Sequence, residues 1–362
     1  MIIAAVVIQL LVLTLSVVLW TAWFRGKFST SESYWSARPG IQSPPQGILD
    51  FIGAFCVWFG LQIVAVVVGF AILGFDVADL ESGNDPEALL KFSAMAMVTQ
   101  IIAMVVVAFW LGLRYRNVLW MGMGSPLWKD FKCGIVGFVM IIPIVYLIQI
   151  VVTQLIPYEH PTLDAMKDIS TPIAIFCAWF TAVVAAPLTE EFFFRGMLQG
   201  LLHRFMDRND SLQELILGDR KSVDLLMGSF THSAADLARP DSIGEGNPSA
   251  PPSVIQSAPQ ESTPYEPPTS VSREVPAMAD GVEPVGWKFW MPIVLTSLLF
   301  AAAHAGQGPA PIPLFFFSLG VGYLFRKTGS ILPCIIIHFL LNATSMSILT
   351  LHIWFPESFP ME

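Results

Sequence analysis

The sequence predicts an all-α polytopic membrane protein, and three observations predict it. Of 362 residues, 54% are hydrophobic and only 13% are charged. The mean hydropathy is +0.63. The apolar residues also come in long blocks rather than at the alternating or 3.6-residue spacing of half-buried strands and helices.

About eight transmembrane helices are expected, in order along the chain. The first, 2 to 24, lacks the basic start and small-residue cleavage site of a secretory signal, so a retained helix is expected. Blocks 51 to 74, 90 to 113 and 132 to 156 complete an N-terminal part, 1 to 170. A fifth, 172 to 194, lies in a segment, 171 to 206, that carries a charged motif. Blocks 287 to 304, 312 to 325 and 331 to 354 form the C-terminal part, 287 to 354. At about 1.5 Å per residue most of these cross a core of about 30 Å, whereas 312 to 325 is short.

Residues 207 to 286 are of another kind. They hold thirteen acidic and five basic side chains, with ten prolines between Pro240 and Pro284, so almost all of the formal charge of −9 sits there. Too little apolar surface is present to offset ordering entropy, and a disordered insert is expected, with a short amphipathic helix within "SLQELILGDRKSVDLLMGSF".

Lys and Arg orient the chain. Arg25, Lys27, Arg38, Arg114, Arg116, Lys129, Lys132, Arg326 and Lys327 fall on one side, and Lys91 and Lys167 on the other. The positive-inside rule then predicts an outside N-terminus, a cytoplasmic insert and a multi-pass protein of the bacterial inner membrane. Cys56, Cys133, Cys177 and Cys334 form no C-x-x-C pair and read as free thiols buried as small hydrophobes.

The stretch "LTEEFFFRG", 188 to 196, breaks the apolar pattern. A charge at mid-membrane costs roughly 2.5 to 3.5 kcal/mol, against a return of about 0.3 to 0.6 for each large aliphatic or Phe side chain. Glu191 and Arg195 are four residues apart and share a helix face, so an ion pair is expected; Glu190 points about 100° away and needs another partner. His304 closes "LTSLLFAAAH", and His338 with Asn342, four residues on, share a face in "PCIIIHFLLN". One hydrated cavity onto which all of these converge would lower the desolvation cost of each. Pro292 is read as the first residue of its helix, with "WKFW" as an interfacial collar, and "AGQGPAPIP" as a loop dipping into the membrane.

A carboxylate and a histidine meeting at one point can hold and deprotonate a water, while an asparagine and a second histidine can stabilise an oxyanion. The same four groups, Glu190, His304, His338 and Asn342, could hold a divalent metal such as zinc, although asparagine is a poor zinc ligand. No cofactor is otherwise called for. The H-E-x-x-H, G-x-S-G and G-x-G-D signatures of other intramembrane hydrolases are absent from the chain.

In order, "EEFFFR" at 190 to 195, "FAAAH" at 300 to 304 and "HFLLN" at 338 to 342 resemble the E-E-x-x-x-R, F-x-x-x-H and H-x-x-x-N motifs of the CAAX protease and bacteriocin-processing family of intramembrane endopeptidases. The resemblance implies a catalytic core from 171 to 206 and 287 to 354, opening toward the cytoplasm. It implies Glu190 with His304 as the water-activating pair, His338 and Asn342 as oxyanion hole or metal ligands, and Glu191 and Arg195 in support. A peptide or lipidated protein is the implied substrate, with membrane lipids around it and no nucleic acid. A catalytically inactive peptide- or lipid-tail-binding immunity or scaffold protein, and a proton-coupled transporter, are the competing readings.

Overall fold

A computed structural model describes residues 2–26, 46–72, 74, 86–115, 127–156, 172–207, 211–218 and 286–354. The chain divides into two compact units, one of them 223–283, which lies wholly outside the described residues; the helices below all belong to the other. Of the insert expected to be disordered, 207–286, residues 211–218 are instead ordered as a short helix, Leu212–Leu217, within the stretch where an amphipathic helix is expected. It is opened by a capping box in which Ser211 and Glu214 bond each other's backbone N–H. The expectations for 219–285 lie outside the described residues.

The described residues are helical, with no strand among them. We number α1 Ile2–Phe24, α2 Ile48–Ile72, α3 Pro86–Tyr115, α4 Leu127–Leu155, a composite α5 over 172–207, a short α6 Leu212–Leu217, α7 Trp287–Ala303, α8 Pro311–Thr328 and α9 Leu332–Trp354. Five helical stretches are long and apolar enough to cross a membrane, within α2, α3, α4, α5 and α9, and α1 and α7 contain shorter apolar stretches. The protein is a multi-pass integral membrane protein. Its outer faces carry exposed side chains such as Leu11, Val67, Phe109 and Ile150, as suits a surface solvated by hydrocarbon.

The helix carrying the charges is the most enclosed. Of the apolar window in Ile175–Met206, 44% is buried, against 6% in Ile48–Ile72. Its consecutive phenylalanines explain how. Phe194 packs against a cluster built from α4, α7, α8 and α9, including Ile142, Phe300, Phe317 and Ile337. Phe192 and Phe193, with Met197, join Ala54, Val107 and Leu111 in a second cluster with α2 and α3. One helix thus fastens both halves of the bundle.

Small residues set the spacing of α4 against α9. A methyl built on Gly134 would lie 2.7 Å from Ile336 Cβ, and one on Gly137 would lie 2.6 Å from Ile337 Cδ1. Such close backbone approach is how helices associate in lipid, where no hydrophobic gain separates side chain from solvent.

Several boundaries differ from those expected. Helix α5 does not stop at 194 but continues to Asp207, because the polar residues of its last turns are buried against protein. It also contains two π-helical stretches, Thr181–Ala185 and Phe192–Gln199. Helix α7 begins at Trp287 after Gly286, so Pro292 sits inside it rather than opening it. This far into the helix the proline removes one backbone donor, and the hydroxyls of Thr296 and Ser297 bond carbonyls of the same turn, Thr296 to Pro292 O at 2.8 Å and Ser297 to Ile293 O at 2.7 Å. Of the residues of the expected collar, Trp287 and Trp290 are exposed, while Phe289 turns inward. Residues 304–310 form compact turns, with Gln307 N donating to His304 O at 2.9 Å. Helix α8 opens on Pro311 and is eighteen residues long, not the short 312 to 325 span, and closes on Gly329 at φ 61°, a left-handed cap that suits glycine. All four cysteines are free, and Cys133, Cys177 and Cys334 are buried, but Cys56 is exposed on α2, where the lipid-facing side of the helix accepts a small apolar thiol.

Candidate active site

The two adjacent carboxylates of α5 diverge, and both reach His338 of α9. Glu191 Oε1 accepts from His338 Nδ1 at 2.8 Å, while Glu190 Oε2 lies 3.8 Å from the other ring nitrogen, Nε2. Glu190 Oε2 is also 3.9 Å from His304 Nε2, at the end of α7. The ring of His304 is fixed from behind, since its Nδ1 donates to the Phe300 carbonyl at 2.8 Å.

Acceptors fix the tautomers. A backbone carbonyl and a carboxylate can only accept, so each Nδ1 carries a proton and each Nε2 is the ring atom left toward Glu190, as an acceptor when the ring is neutral and a donor when it is charged. Glu190 Oε2 has no hydrogen-bond partner in the protein. Both separations exceed a direct hydrogen bond and fall where a bridging water is the first question to ask.

Glu191 and Arg195 pair as their spacing predicts, Nε to Oε2 at 3.2 Å, with neither side chain exposed. The same two atoms lack an aligned hydrogen bond, so the contact is a close charge pair of poor angle. Arg195 is held instead through Nη2, which donates to Ser318 Oγ at 2.9 Å, and through its guanidinium, 4.8 Å above the Phe300 ring. Phe300 and Phe317 wall His338, with ring centroids 5.9 and 5.2 Å away.

Asn342 lies one turn beyond His338 and donates from Nδ2 to Ala182 O at 2.8 Å. That carbonyl belongs to the first π-helical stretch, where the widened turn departs from the regular ladder. One of the two amide hydrogens is therefore committed to holding α9 against α5.

Sequence reasoning missed Ser318, the Phe300 carbonyl and the π turns. It also missed the continuation of the polar row on α5 to Gln199 and His203, although the four-residue spacing from Glu191 through Arg195 signals it. Gln100 is a further omission: its Nε2 donates to Thr189 Oγ1 at 2.6 Å beside the motif.

Among the described residues no group of three or more His, Cys, Asp or Glu stands at metal-holding spacing. Glu190 and the two histidines are the right donors for zinc, yet the 3.8 and 3.9 Å separations are wider than the edge of about 3.3 Å that bonds of about 2.0 Å span in a tetrahedron. The arrangement as it stands does not fit a metal.

Residues 172–218 and 277–344 match the family model of Rce1-like type II CAAX prenyl endopeptidases. The chain carries a domain of this family. Its Rce1-like domain includes Glu190, Glu191, Arg195, His304, His338 and Asn342, and the break in the match lies within the acidic insert. No curated protein and no solved structure matches the chain significantly.

Proposed function

We propose that the protein is an intramembrane endopeptidase that hydrolyses a peptide bond near the cytoplasmic face, using a water held by Glu190 and His304. The observation that carries this reading is the convergence of one carboxylate oxygen without a hydrogen-bond partner and two imidazole Nε2 atoms, each ring oriented by an acceptor behind it.

In the first step Glu190 takes a proton from the water, with His304 Nε2 accepting the second hydrogen as a hydrogen bond, and the oxygen attacks the carbonyl carbon. The carbonyl π electrons move to oxygen. The remaining hydrogen of the Asn342 amide, and His338 when Nε2 is protonated, meet that oxyanion; Glu191 behind Nδ1 holds the ring in place. Collapse breaks the C–N bond, and Glu190 returns its proton to the leaving amine. Glu191 and Arg195 orient His338 and touch no substrate.

The substrate class is a peptide or lipidated protein that reaches the site from the membrane. The N-terminus is outside and the site opens inward. Basic residues at one end of the bundle support this orientation: Arg114 at the end of α3 and Arg204 at the end of α5 both donate to carbonyls of α6, Leu217 O at 3.1 Å and Glu214 O at 3.0 Å.

The test is cleavage of a pool of peptides and prenylated peptides by purified protein in nanodiscs, beside Glu190→Ala and His304→Ala, with and without a chelator. Cleavage is expected from the native chain and not from either variant. Equal cleavage by Glu190→Ala overturns the mechanism, and no cleavage by the native chain turns the reading toward a binding protein.

A further inference from the structure

The site is continuous with a buried polar row that hydrolysis alone does not require. Glu191, Arg195, Gln199 and His203 succeed one another at four-residue intervals along α5, all buried, over roughly 18 Å. In a regular α-helix each four-residue step turns the face by about 40°, so three steps would carry His203 well away from Glu191. The π-helical stretch Phe192–Gln199 has wider turns, which take back part of that drift and keep the row on one side.

Polar atoms along this row lack aligned protein partners in an unusual concentration. Glu190 Oε2, Glu191 Oε2, Arg195 Nε and Nη1, Gln199 Oε1 and His203 Nδ1 are all buried without a hydrogen bond from protein. Elsewhere in the described residues such buried atoms are Gln46 Oε1, Trp58 Nε1 and Tyr146 Oη. Glu191 Oε2 and Arg195 Nε face each other at 3.2 Å without alignment, whereas Arg195 Nη1, Gln199 Oε1 and His203 Nδ1 have no such neighbour. A buried polar group without a partner costs about 1 to 3 kcal/mol, so these three along one helix face call for a common partner.

Neighbouring acceptors settle how the far half of the row is oriented. Gln199 Nε2 lies 2.8 Å from Gly322 O, which can only accept, so the amide nitrogen and not its oxygen is set against that carbonyl. The same Nε2 is 3.1 Å from His203 Nε2, which then accepts, leaving the His203 proton on Nδ1. The result alternates along the row: carboxylate acceptor, guanidinium donors, amide oxygen acceptor, imidazole donor. Water is the ligand that suits such a series, since each molecule accepts and donates at once.

We propose that Glu191, Arg195, Gln199 and His203 line a water conduit that joins the Glu190 site to the end of α5 from which the insert leaves. Apolar side chains of α7 line it, Phe300 against Arg195 and Ile293 beside Gly322. Its role in supplying the hydrolytic water rests on the endopeptidase reading, whereas its hydration does not.

The experiment is radiolytic hydroxyl-radical labelling of the full-length protein in nanodiscs, read by mass spectrometry, because radicals formed from a bound water mark the side chains that touch it. Phe300 is fully buried and lies over Arg195, so labelling there reports water in the row. Phe300 is expected to label in the native protein and to lose most of that labelling in Gln199→Leu with His203→Leu. Gly322→Ala provides an independent plug that removes no polar atom, since its methyl would lie 3.0 Å from Gln199 Oε1. His203→Gln, which keeps a polar side chain at the mouth, is expected to retain labelling. An unlabelled Phe300 in the native protein, or labelling unchanged by both plugs, overturns the conduit. In cleavage assays the plugs are expected to lower kcat about tenfold or more with KM unchanged. Labelling lost with no cleavage by any form would leave the conduit standing and remove the endopeptidase reading instead.

Discussion

Glu190 and Glu191 are neighbours of one residue type, and replacing each by glutamine is expected to give opposite phenotypes. Glu190 is 26% exposed, and its Oε2 has no aligned partner, so Glu190→Gln leaves no counter-charge stranded. It removes the base that takes the proton, a loss of about 10²- to 10⁴-fold in kcat, with KM and thermal stability close to native. Glu191 is wholly buried between His338 Nδ1 at 2.8 Å and Arg195 Nε at 3.2 Å. Glu191→Gln leaves the Arg195 guanidinium buried without its counter-charge, and removing one partner of such a pair costs about 3 to 5 kcal/mol. At about 2 to 4 °C per kcal/mol, the midpoint should fall by about 6 to 20 °C. Thermal unfolding by tryptophan fluorescence in one detergent, beside single-turnover cleavage of one peptide, measures both effects. Equal midpoint losses, or a native midpoint for Glu191→Gln, would refute the division of labour between the two carboxylates.

Two further outcomes are expected from packing. Gly134→Ala forces a methyl to within 2.7 Å of Ile336 Cβ across the α4 and α9 contact, and an unfolding midpoint lowered by the equivalent of about 1 to 3 kcal/mol is expected, with residual activity per folded molecule unchanged. Asn342→Leu strands the Ala182 carbonyl in its π turn, so stability should fall by about 1 to 3 kcal/mol and turnover should fall as well, whereas Asn342→Gln, if it reaches the same carbonyl, recovers stability before turnover; chemical denaturation and kcat read the two separately.

Much of this was legible in the residues. Long apolar blocks left helices as the only structures able to satisfy their backbone in lipid, and the cost of charge in that medium marked Glu190, Glu191, Arg195 and the two histidines before any coordinates. The four-residue spacing predicted the Glu191–Arg195 pair, which is present. The ends of helices were less legible. Pro292 reads locally as a helix start, but surrounding protein lets α7 begin at Trp287; the turns of α5 beyond 194 look too polar to span, yet Gln199, His203 and Arg204 are buried against α8, α6 and the chain preceding α2.

The sequence by itself determined the solvent, the helical class and the cast of ionisable residues, because hydropathy and helical spacing are local properties. Tertiary structure alone decided which atoms meet. A 100° turn per residue says that Glu190 and Glu191 diverge, but not that both would find the same imidazole from opposite sides. The Ser318 hydroxyl on Arg195 and the Ala182 carbonyl under Asn342 depend on contacts between helices far apart in the chain. Helical periodicity fixes the face a side chain points from, and only packing fixes what stands opposite.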